Sequence, residues 1–213
     1  MTDPSKVHYL LVIDRSGSMA DIRHDMQSGL QAFIDRQLLD VDPAKRTVTL
    51  HQFDTMHNLV YDYQPLAMAK DYKLEPRGGT ALLDACGFAI KQLGVKLKHM
   101  SEEERPGYVM VLIVTDGEEN SSKEYSRSDI KEMIQHQTDV YGWKFTFLGA
   151  NQDAFAEAGS IGISRDSAVC FTAVGPAVGS VWASAGNAVS MGTASTTSKI
   201  TYTQVQRDSA MKK

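Results

Sequence analysis

The sequence has little of several features that would place it in a specialised class of protein. Only two cysteines occur among 213 residues, too few for a disulfide framework, and we expect both to be reduced core thiols. The formal net charge is −4 and long runs of one sign are missing, which argues against a nucleic-acid-binding surface. The chain has no apolar run long enough to cross a bilayer, and residues 1–6 lack an apolar secretory segment. We therefore expect a cytoplasmic protein without nucleic-acid or membrane partners.

Sequence motifs of several enzyme and metal classes are also missing. No Walker loop occurs, and neither Ser16 nor Ser18 stands in a Gly-x-Ser-x-Gly pattern or at a recognisable spacing from a histidine, which disfavours a triad hydrolase. Cys86 and Cys170 are far apart, and no pair of histidines at helical spacing accompanies a carboxylate. Zinc and redox metals are therefore not expected.

What the chain does contain is the alternation of strands and helices typical of a doubly wound α/β sheet. Continuous apolar runs, which indicate central parallel strands covered on both faces, occupy residues 8–13, 108–114 and 144–148. Apolar residues recur at helical spacing in residues 22–38, 82–97 and 130–134. With 42% hydrophobic residues, a chain of this length can bury the core of one domain.

Two further patterns complete the predicted architecture. Residues 47–53 and 58–63 are rich in β-branched and aromatic residues and are separated by a short turn, which predicts a hairpin and one antiparallel edge strand. After residue 148 we expect a short helix near Phe155, a strand at 168–171, and a helix that packs on the domain. The predicted division is a domain at 7–171, the packing helix at 172–192, and a mobile tail at 193–213 with little to bury.

Oxygen-bearing side chains follow two of the predicted strands. Asp14, Ser16 and Ser18 come directly after residues 8–13, and Asp116 follows residues 108–114. A separate Thr80 precedes a predicted helix. In open α/β sheets ligands bind beyond the carboxyl ends of strands, and Mg²⁺ prefers carboxylate, hydroxyl and water oxygens. The sequence therefore predicts a magnesium site.

This set, in this order, resembles the metal-ion-dependent adhesion site (MIDAS) of von Willebrand factor type A (vWA) domains, in particular the stand-alone prokaryotic or phage kind. The resemblance covers about residues 7–171. It implies that Ser16 and Ser18 bind Mg²⁺ directly, that the threonine does so in a high-affinity state, and that the two aspartates act largely through water. Mn²⁺ or Ca²⁺ would also suit these ligands. The implied function is noncatalytic binding of a partner protein that donates an Asp or Glu carboxylate to the ion.

Each segment also has an ordinary interpretation. Residues 14–18 could form a polar turn, Thr80 could cap a helix, Asp116-Gly117 is a common turn pair, and residues 118–120 could be a solvated loop. The joint occurrence of all three segments favours the metal site. Beyond the ligands, Asp54 could lie in a second shell or simply belong to the hairpin turn. Arg15, Arg77 and Gly117 could form the rim of the site, although solvated surface arginines are the favoured interpretation of the first two.

Two other functions remain open at this point. A Mg²⁺-dependent phosphoryl-transfer enzyme of the haloacid dehalogenase type also has an acidic loop after a buried strand, but it requires Asp-x-Asp where this chain has Asp14-x-Ser16. An assembly protein in which the ion only fixes the loops would use the same ligands without a partner carboxylate. Stability measured with and without Mg²⁺, together with partner binding, separates this role from adhesion.

Overall fold

The computed structural model describes residues 2–39, 41–150, 153–194 and 199–211. Within these ranges, six strands form one sheet in the order β3-β2-β1-β4-β5-β6. Their bounds are β1 Asp3–Asp14, β2 Arg46–Phe53, β3 His57–Pro65, β4 Pro106–Thr115, β5 Lys144–Ala150 and β6 Ala168–Phe171.

The sheet is mostly parallel. Every neighbouring pair runs parallel except β2 and β3, which form the hairpin at one edge. In the centre, Leu11 of β1 lies opposite Leu50 of β2 and Leu112 of β4, so that three apolar side chains lie side by side on one face. The predicted fold class, a doubly wound α/β sheet with one antiparallel edge strand, is confirmed.

Helices cover both faces of the sheet. In the described ranges they are α1 Arg23–Leu38, α2 Leu82–His99, α3 Arg127–Tyr141, α4 Ala154–Ser160, α5 Gly175–Ala194 and α6 Gln204–Ala210. Phe33 of α1 and Trp182 of α5 share a core with Leu11, while Ile90 of α2 shares a second core with Val12. Because successive side chains of β1 point to opposite faces, its continuous apolar run supplies both cores.

The contact between α1 and α5 depends on a glycine. A Cβ atom at Gly29 would lie only 2.1 Å from Cδ1 of Trp182, so the indole ring rests directly on the α1 backbone. The same ring lies 5.7 Å from that of Phe33, measured between centroids. Close approach through a missing side chain therefore fixes how α5 packs on the domain.

The last part of the chain differs from the predicted mobile tail. Ile200, Tyr202 and Ala210 are buried, and the Tyr202 hydroxyl lies 2.6 Å from Oγ1 of Thr146 in β5. The sequence did not predict the burial of these three residues, because each stands alone among small and polar residues and forms no periodic apolar pattern. For residues 199–211 the expectation of mobility is therefore corrected, whereas residues 195–198 and 212–213 lie outside the described residues.

None of the helices in the described part of the chain is long and apolar enough to cross a membrane. Both cysteines, Cys86 and Cys170, are buried.

Candidate functional site

The strand order brings the predicted ligands to one edge of the sheet. Asp14 is the last residue of β1, and Asp116 directly follows β4. These strands are parallel neighbours with Ile13 opposite Val114, so their carboxyl ends lie side by side. Ser16 and Ser18 follow in the loop that begins with Asp14.

The hydroxyl groups of this loop contact the second aspartate. The Oγ atoms of Ser16 and Ser18 lie 3.0 Å apart, and Oγ of Ser18 donates to Oδ1 of Asp116 at 2.7 Å. The side chain of Ser16 is buried, whereas that of Ser18 is exposed. The fold thus brings Ser18 and Asp116, which are 98 residues apart in the sequence, into direct hydrogen-bond contact.

Thr80 joins the same group. A Cβ atom placed on Gly117 would lie 3.1 Å from Oγ1 of Thr80, 3.6 Å from Oγ of Ser18 and 3.9 Å from Oγ of Ser16. Three hydroxyl oxygens from two separate segments therefore surround one small space, which the absence of a side chain at Gly117, in a third segment, leaves open. All five predicted ligands are brought together at this end of the sheet, and Gly117 forms part of the wall.

The Asp14 carboxylate is fully buried. Its Oδ1 accepts from the backbone N–H of Ser16 and its Oδ2 accepts from the Thr115 hydroxyl, both at 2.6 Å. Burial raises the pKa of Asp14 to about 6, although these hydrogen bonds act in the opposite direction. Burial also raises the pKa of Asp116, against the effect of the Ser18 hydrogen bond. Two carboxylates with weakened acidity therefore stand at one buried position, where a positive charge would favour their ionised forms.

Thr80 does not cap the following helix. The residue before α2 is Ala81, and no side-chain hydrogen bond is made from that position. Instead, Oε2 of Glu119 accepts from the backbone N–H of Leu83, and Oγ of Ser122 accepts from that of Asp84. Because other residues satisfy the first turn of α2, the Thr80 hydroxyl is left for the ligand cluster.

The loop after β4 holds Thr80 in place from both sides. Oδ1 of Asn120 accepts from the backbone N–H of Thr80 at 2.9 Å, and the Asn120 N–H donates to the Thr80 carbonyl at 3.0 Å. The interpretation of residues 118–120 as a plain solvated loop is therefore wrong for Glu119 and Asn120. Sequence reasoning also missed Thr115 as the partner of Asp14. Its position between an apolar run and Asp116 could have suggested a role in the site, but the sequence does not show to which face of the sheet its hydroxyl points.

The buried carboxylate of Asp54 joins the loop that contains Arg15 to the loop that contains Arg77. Its Oδ2 lies 2.7 Å from Nε of Arg77 and 3.0 Å from Nε of Arg15, while its Oδ1 accepts from the Met56 N–H at 2.8 Å. Burial acts to raise the pKa of Asp54, but the Arg77 and Met56 hydrogen bonds and the two guanidinium charges outweigh it and hold the pKa below its usual value. Asp54 is thus a turn residue whose side chain joins the loops of Arg15 and Arg77, and its place in a metal second shell stays a prediction.

The two arginines differ in exposure. Arg15 is buried and its Nη2 donates to Oδ1 of Asn58, so it is neither a rim residue nor a solvated side chain. Arg77 keeps 58% of its side chain exposed. Its backbone N–H donates to the Arg15 carbonyl at 2.7 Å, and the next residue, Gly78, has φ of 68°, a conformation that favours glycine. Only Arg77 of this pair is available to a partner.

The donor set fits a hard divalent cation. It offers two carboxylates and three hydroxyls around one space, with no thiolate or imidazole contact in the hydrogen bonds described above. Within the described ranges no cluster of three or more His, Cys, Asp or Glu side chains could hold a metal. A metal site at this position would therefore depend on hydroxyl oxygens and water as well as on the two carboxylates.

No protein-family model matches the sequence, and no curated protein matches it. Solved structures do match. Proximal thread matrix protein 1 from the mussel byssus aligns with a TM-score of 0.63 and 15% identity, covering 87% of this chain and 46% of that protein. This chain thus spans about half the length of that relative. The same protein with a zinc-occupied MIDAS motif aligns with a TM-score of 0.56 and 17% identity, covering 80% of this chain and 42% of that one.

Bacterial domains match over nearly their full length. The vWF domain of the type V pili tip protein Mfa5 from Porphyromonas gingivalis aligns with a TM-score of 0.60 and 11% identity, covering 88% of this chain and 96% of that one. The protein BatB from Bacteroides thetaiotaomicron aligns at 0.59 and 15%, covering 89% and 100%. At these identities the likeness establishes the fold alone. The sheet order, the antiparallel edge and these neighbours together show that the chain has the vWA fold.

Proposed function

We propose that this protein is a noncatalytic, metal-dependent protein-binding domain, in which Mg²⁺ held at the MIDAS residues coordinates an Asp or Glu side chain of a partner. The observation that carries the proposal is the convergence of three hydroxyls and Asp116 on one space beside the buried Asp14. A bound divalent cation would supply a positive charge with coordination positions open to an outside carboxylate.

The residues of the chain have distinct tasks in this proposal. Ser16, Ser18 and Thr80 offer neutral oxygens, so the ion keeps more of its charge than it would among three carboxylates. Asp14 and Asp116 supply the compensating negative charge, with Asp14 already fixed by two hydrogen bonds. Because the three hydroxyl ligands are neutral, the ion would keep enough positive charge to bind a partner carboxylate.

The neighbouring side chains would select the partner. Arg77 lies beside the site with an exposed side chain, and its Nε already contacts Asp54. An acidic group next to the coordinating carboxylate would therefore meet a guanidinium group that is held in place. We infer that the partner segment is acidic around its coordinating residue.

Metal binding is tested first, by titrating Mn²⁺ into the intact chain and following its electron paramagnetic resonance signal, with Mg²⁺ as competitor. Asp116→Asn should abolish high-affinity binding because it removes a ligand charge while keeping the shape of the side chain. Asp153→Asn, a change at an exposed carboxylate beyond β5, is the matched control and should leave binding unchanged.

Carboxylate recognition is tested by selecting a random peptide display library on the protein in Mg²⁺ and eluting with EDTA. The selected peptides should share an Asp or Glu whose replacement by the corresponding amide removes binding. Metal binding without any peptide of this kind would support the purely structural ion instead. Peptides retained equally in EDTA would refute the adhesion mechanism.

A further inference from the structure

A second concave surface lies at the opposite end of the sheet. It is a cleft of about 540 Å³ between α2 and α3, with Trp143 and Val109 at its base. Trp143 directly precedes β5 and Val109 lies near the start of β4, whereas the MIDAS residues lie beyond the carboxyl ends of β1 and β4. Ligand pockets in proteins occupy roughly 300–1,000 Å³, so this cleft has room for a small organic molecule.

The two helices face the cleft with regularly spaced residues. Lys91, Gly94, Val95 and Lys98 of α2 line one wall, and Met133, His136, Gln137 and Tyr141 of α3 line the other. Both sets follow the three- and four-residue spacing of one helix face. The cleft is therefore a continuous groove between two helix faces.

Gly94 is what opens the middle of the α2 wall. A Cβ atom at this position would meet only Nε2 of Gln137, at an ordinary contact distance of 3.5 Å. A glycine inside a helix costs about 1 kcal/mol relative to alanine, and here close packing does not require it. Its effect is to leave space between the helices.

Each wall has an apolar part that is exposed to solvent. Val95 is 51% exposed and Tyr141 is 64% exposed, although both are large hydrophobic residues. The His136 and Tyr141 rings form an edge contact at 5.5 Å, which orders this part of the wall. The base is buried, with Trp143 only 3% exposed. An apolar chain laid in the groove would cover the exposed parts of both walls.

The charge lining the cleft is of one sign. Lys91, Lys98 and Arg105 contribute to it, and none of the described lining residues is Asp or Glu, in a chain with a net charge of −4. Arg105 is held rigidly, since its Nε donates to the carbonyls of Leu97 at 2.8 Å and Met100 at 3.1 Å. Its Nη2 also donates to the backbone carbonyl of Lys98, which places the guanidinium group at the same end of α2 as Lys98.

We propose that this cleft binds an amphipathic carboxylate of the fatty-acid type, with the alkyl chain against the apolar parts of the two walls and the carboxylate at Lys98 and Arg105. The combination of apolar side chains along the groove with Lys98 and Arg105 at one end matches the two parts of such a ligand. The proposal does not depend on the metal site, and binding should persist in EDTA and in Asp14→Asn.

Bromoundecanoate is a suitable probe because bromine quenches nearby tryptophan fluorescence. The chain has two tryptophans, Trp143 at the base of the cleft and Trp182 in the core on the other face of the sheet. We expect saturable quenching of the intact protein that is lost in Trp143→Phe. Bromoundecanol should bind at least about tenfold more weakly, and a bromoalkyl trimethylammonium ion more weakly still.

Two matched pairs of variants test the site itself. Gly94→Leu fills the groove and should weaken binding at least about tenfold, whereas Gly179→Leu on the exposed side of α5 should leave it unchanged. Lys98→Glu should weaken carboxylate binding to a similar extent, whereas Lys123→Glu on an exposed loop should not. Circular dichroism checks that each variant is folded.

If Gly94→Leu fails to fold, Tyr141→Ser removes an exposed part of the wall and should also weaken binding. Equal affinity for the carboxylate, alcohol and ammonium probes would overturn the proposal. Unchanged affinity in Gly94→Leu or in Lys98→Glu would overturn it as well. In that last case Lys98 would serve only to compensate the carbonyl end of α2.

Discussion

At the scale of single residues, the site is organised around one buried carboxylate. Asp14 is fully inaccessible to solvent, yet burial is only partly compensated by hydrogen bonds from Ser16 and Thr115. A pKa raised to about 6 means that the folded protein favours the protonated form more than the unfolded chain does. Without a cation, ionised Asp14 therefore destabilises the fold at neutral pH.

Asp14→Asn should stabilise the metal-free protein as pH rises. The stabilising contribution of protonated Asp14 is fully present below its ordinary pKa of 3.8 and is lost as pH rises through about 6. A shift of about two pKa units corresponds to roughly 3 kcal/mol, because each unit is worth about 1.4 kcal/mol. The difference in unfolding free energy between variant and wild type, from urea titrations in EDTA, should grow by about this amount between roughly pH 4 and pH 8.

Taking the difference in unfolding free energy between Asp14→Asn and the wild type removes the contribution of the other buried titratable groups. Burial lowers the pKa of His8 to about 3 and that of His51 to about 4, so both favour the neutral ring in the fold. Their stabilising contribution is present above the ordinary pKa of 6.5 and is lost as pH falls. Both proteins contain these histidines. A difference that does not vary with pH would show that Asp14 titrates normally.

A pair of glycines gives a second residue-scale prediction. Gly29→Ala should destabilise the protein by about 1–3 kcal/mol, because its Cβ would lie 2.1 Å from Cδ1 of Trp182. Gly179→Ala should stabilise it by up to about 1 kcal/mol, since a Cβ there meets nothing within 4 Å and alanine is the better helix former. Chemical denaturation of both variants checks the pair. Equal effects of the same sign would contradict the packing described for α5.

At the scale of elements, four loops hold one another in position at the carboxyl ends of the strands. The N–H of Gly17 donates to the carbonyl of Gly78 at 3.1 Å, and the N–H of Ala81 donates to the carbonyl of Asp54 at 2.8 Å. Asn120 then fixes Thr80 from the other side. The loops that carry the proposed ligands are therefore positioned by hydrogen bonds to their backbone groups, which a preformed site would require.

The edge of the sheet formed by β6, on the other side from the β2–β3 hairpin, is contacted by α6. Nη1 of Arg207 donates to the carbonyl of Ala168, and Nη2 donates to those of Arg165 at 2.9 Å and Asp166 at 3.1 Å. The guanidinium group also lies over the Phe155 ring, 5.5 Å from its centroid. One side chain thus joins α6 to the start of β6 and to α4.

Arg207→Ala should therefore loosen this edge. Three carbonyl groups would lose their donor, and we expect a loss of about 1–3 kcal/mol in the free energy of unfolding. Amide hydrogen exchange in β6 should accelerate, while exchange in β1 should change less. Arg207→Lys should recover only part of the loss, because an ammonium group lacks the planar fork of donors.

Arg23→Ala serves as the control, since its guanidinium contacts only the neighbouring His24 among the described residues. If Arg207→Ala were as stable as Arg23→Ala, α6 would not contribute to the edge. Residues 199–211 would then behave as the sequence pattern had suggested.

At the scale of the whole molecule, the sheet separates two surfaces. The proposed metal ligands lie beyond the carboxyl ends of β1 and β4, and the cationic cleft lies at the amino ends of β4 and β5. The central strands are packed into a core on each face. A ligand that binds only the folded state at either end stabilises the entire domain, because a small domain unfolds cooperatively.

Mg²⁺ should accordingly raise the stability of the whole chain. At a free concentration about a hundred times the Kd, the expected gain is about 2.7 kcal/mol. Asp116→Asn should abolish this gain, whereas Asp153→Asn should retain it. The measurement is the midpoint of thermal or urea unfolding as a function of Mg²⁺ concentration. A midpoint independent of Mg²⁺ in the wild-type protein would refute metal binding at this site.

The fold was predictable from the sequence where the signal is local and repeated. The continuous apolar runs of β1 and β4 predict central parallel strands, and the two β-rich segments separated by a short turn predict the antiparallel edge. The tail was misjudged because Ile200 and Tyr202 are isolated residues, whose partners lie on elements far away in the chain. Local patterns cannot show such contacts.

For the site, the sequence by itself determined which oxygen-bearing residues stand at strand ends, since Asp14 directly follows one apolar run and Thr115 and Asp116 follow another. Only the tertiary structure decided that Thr80 lies beside them and does not cap α2, that Thr115 and Asn120 hydrogen-bond to Asp14 and Thr80, and that Arg15 turns inward to Asp54. The physical reason is that residue type and spacing fix the period of each element. Side-chain direction and hydrogen-bond partners are chosen by neighbours that become adjacent only when the sheet has formed.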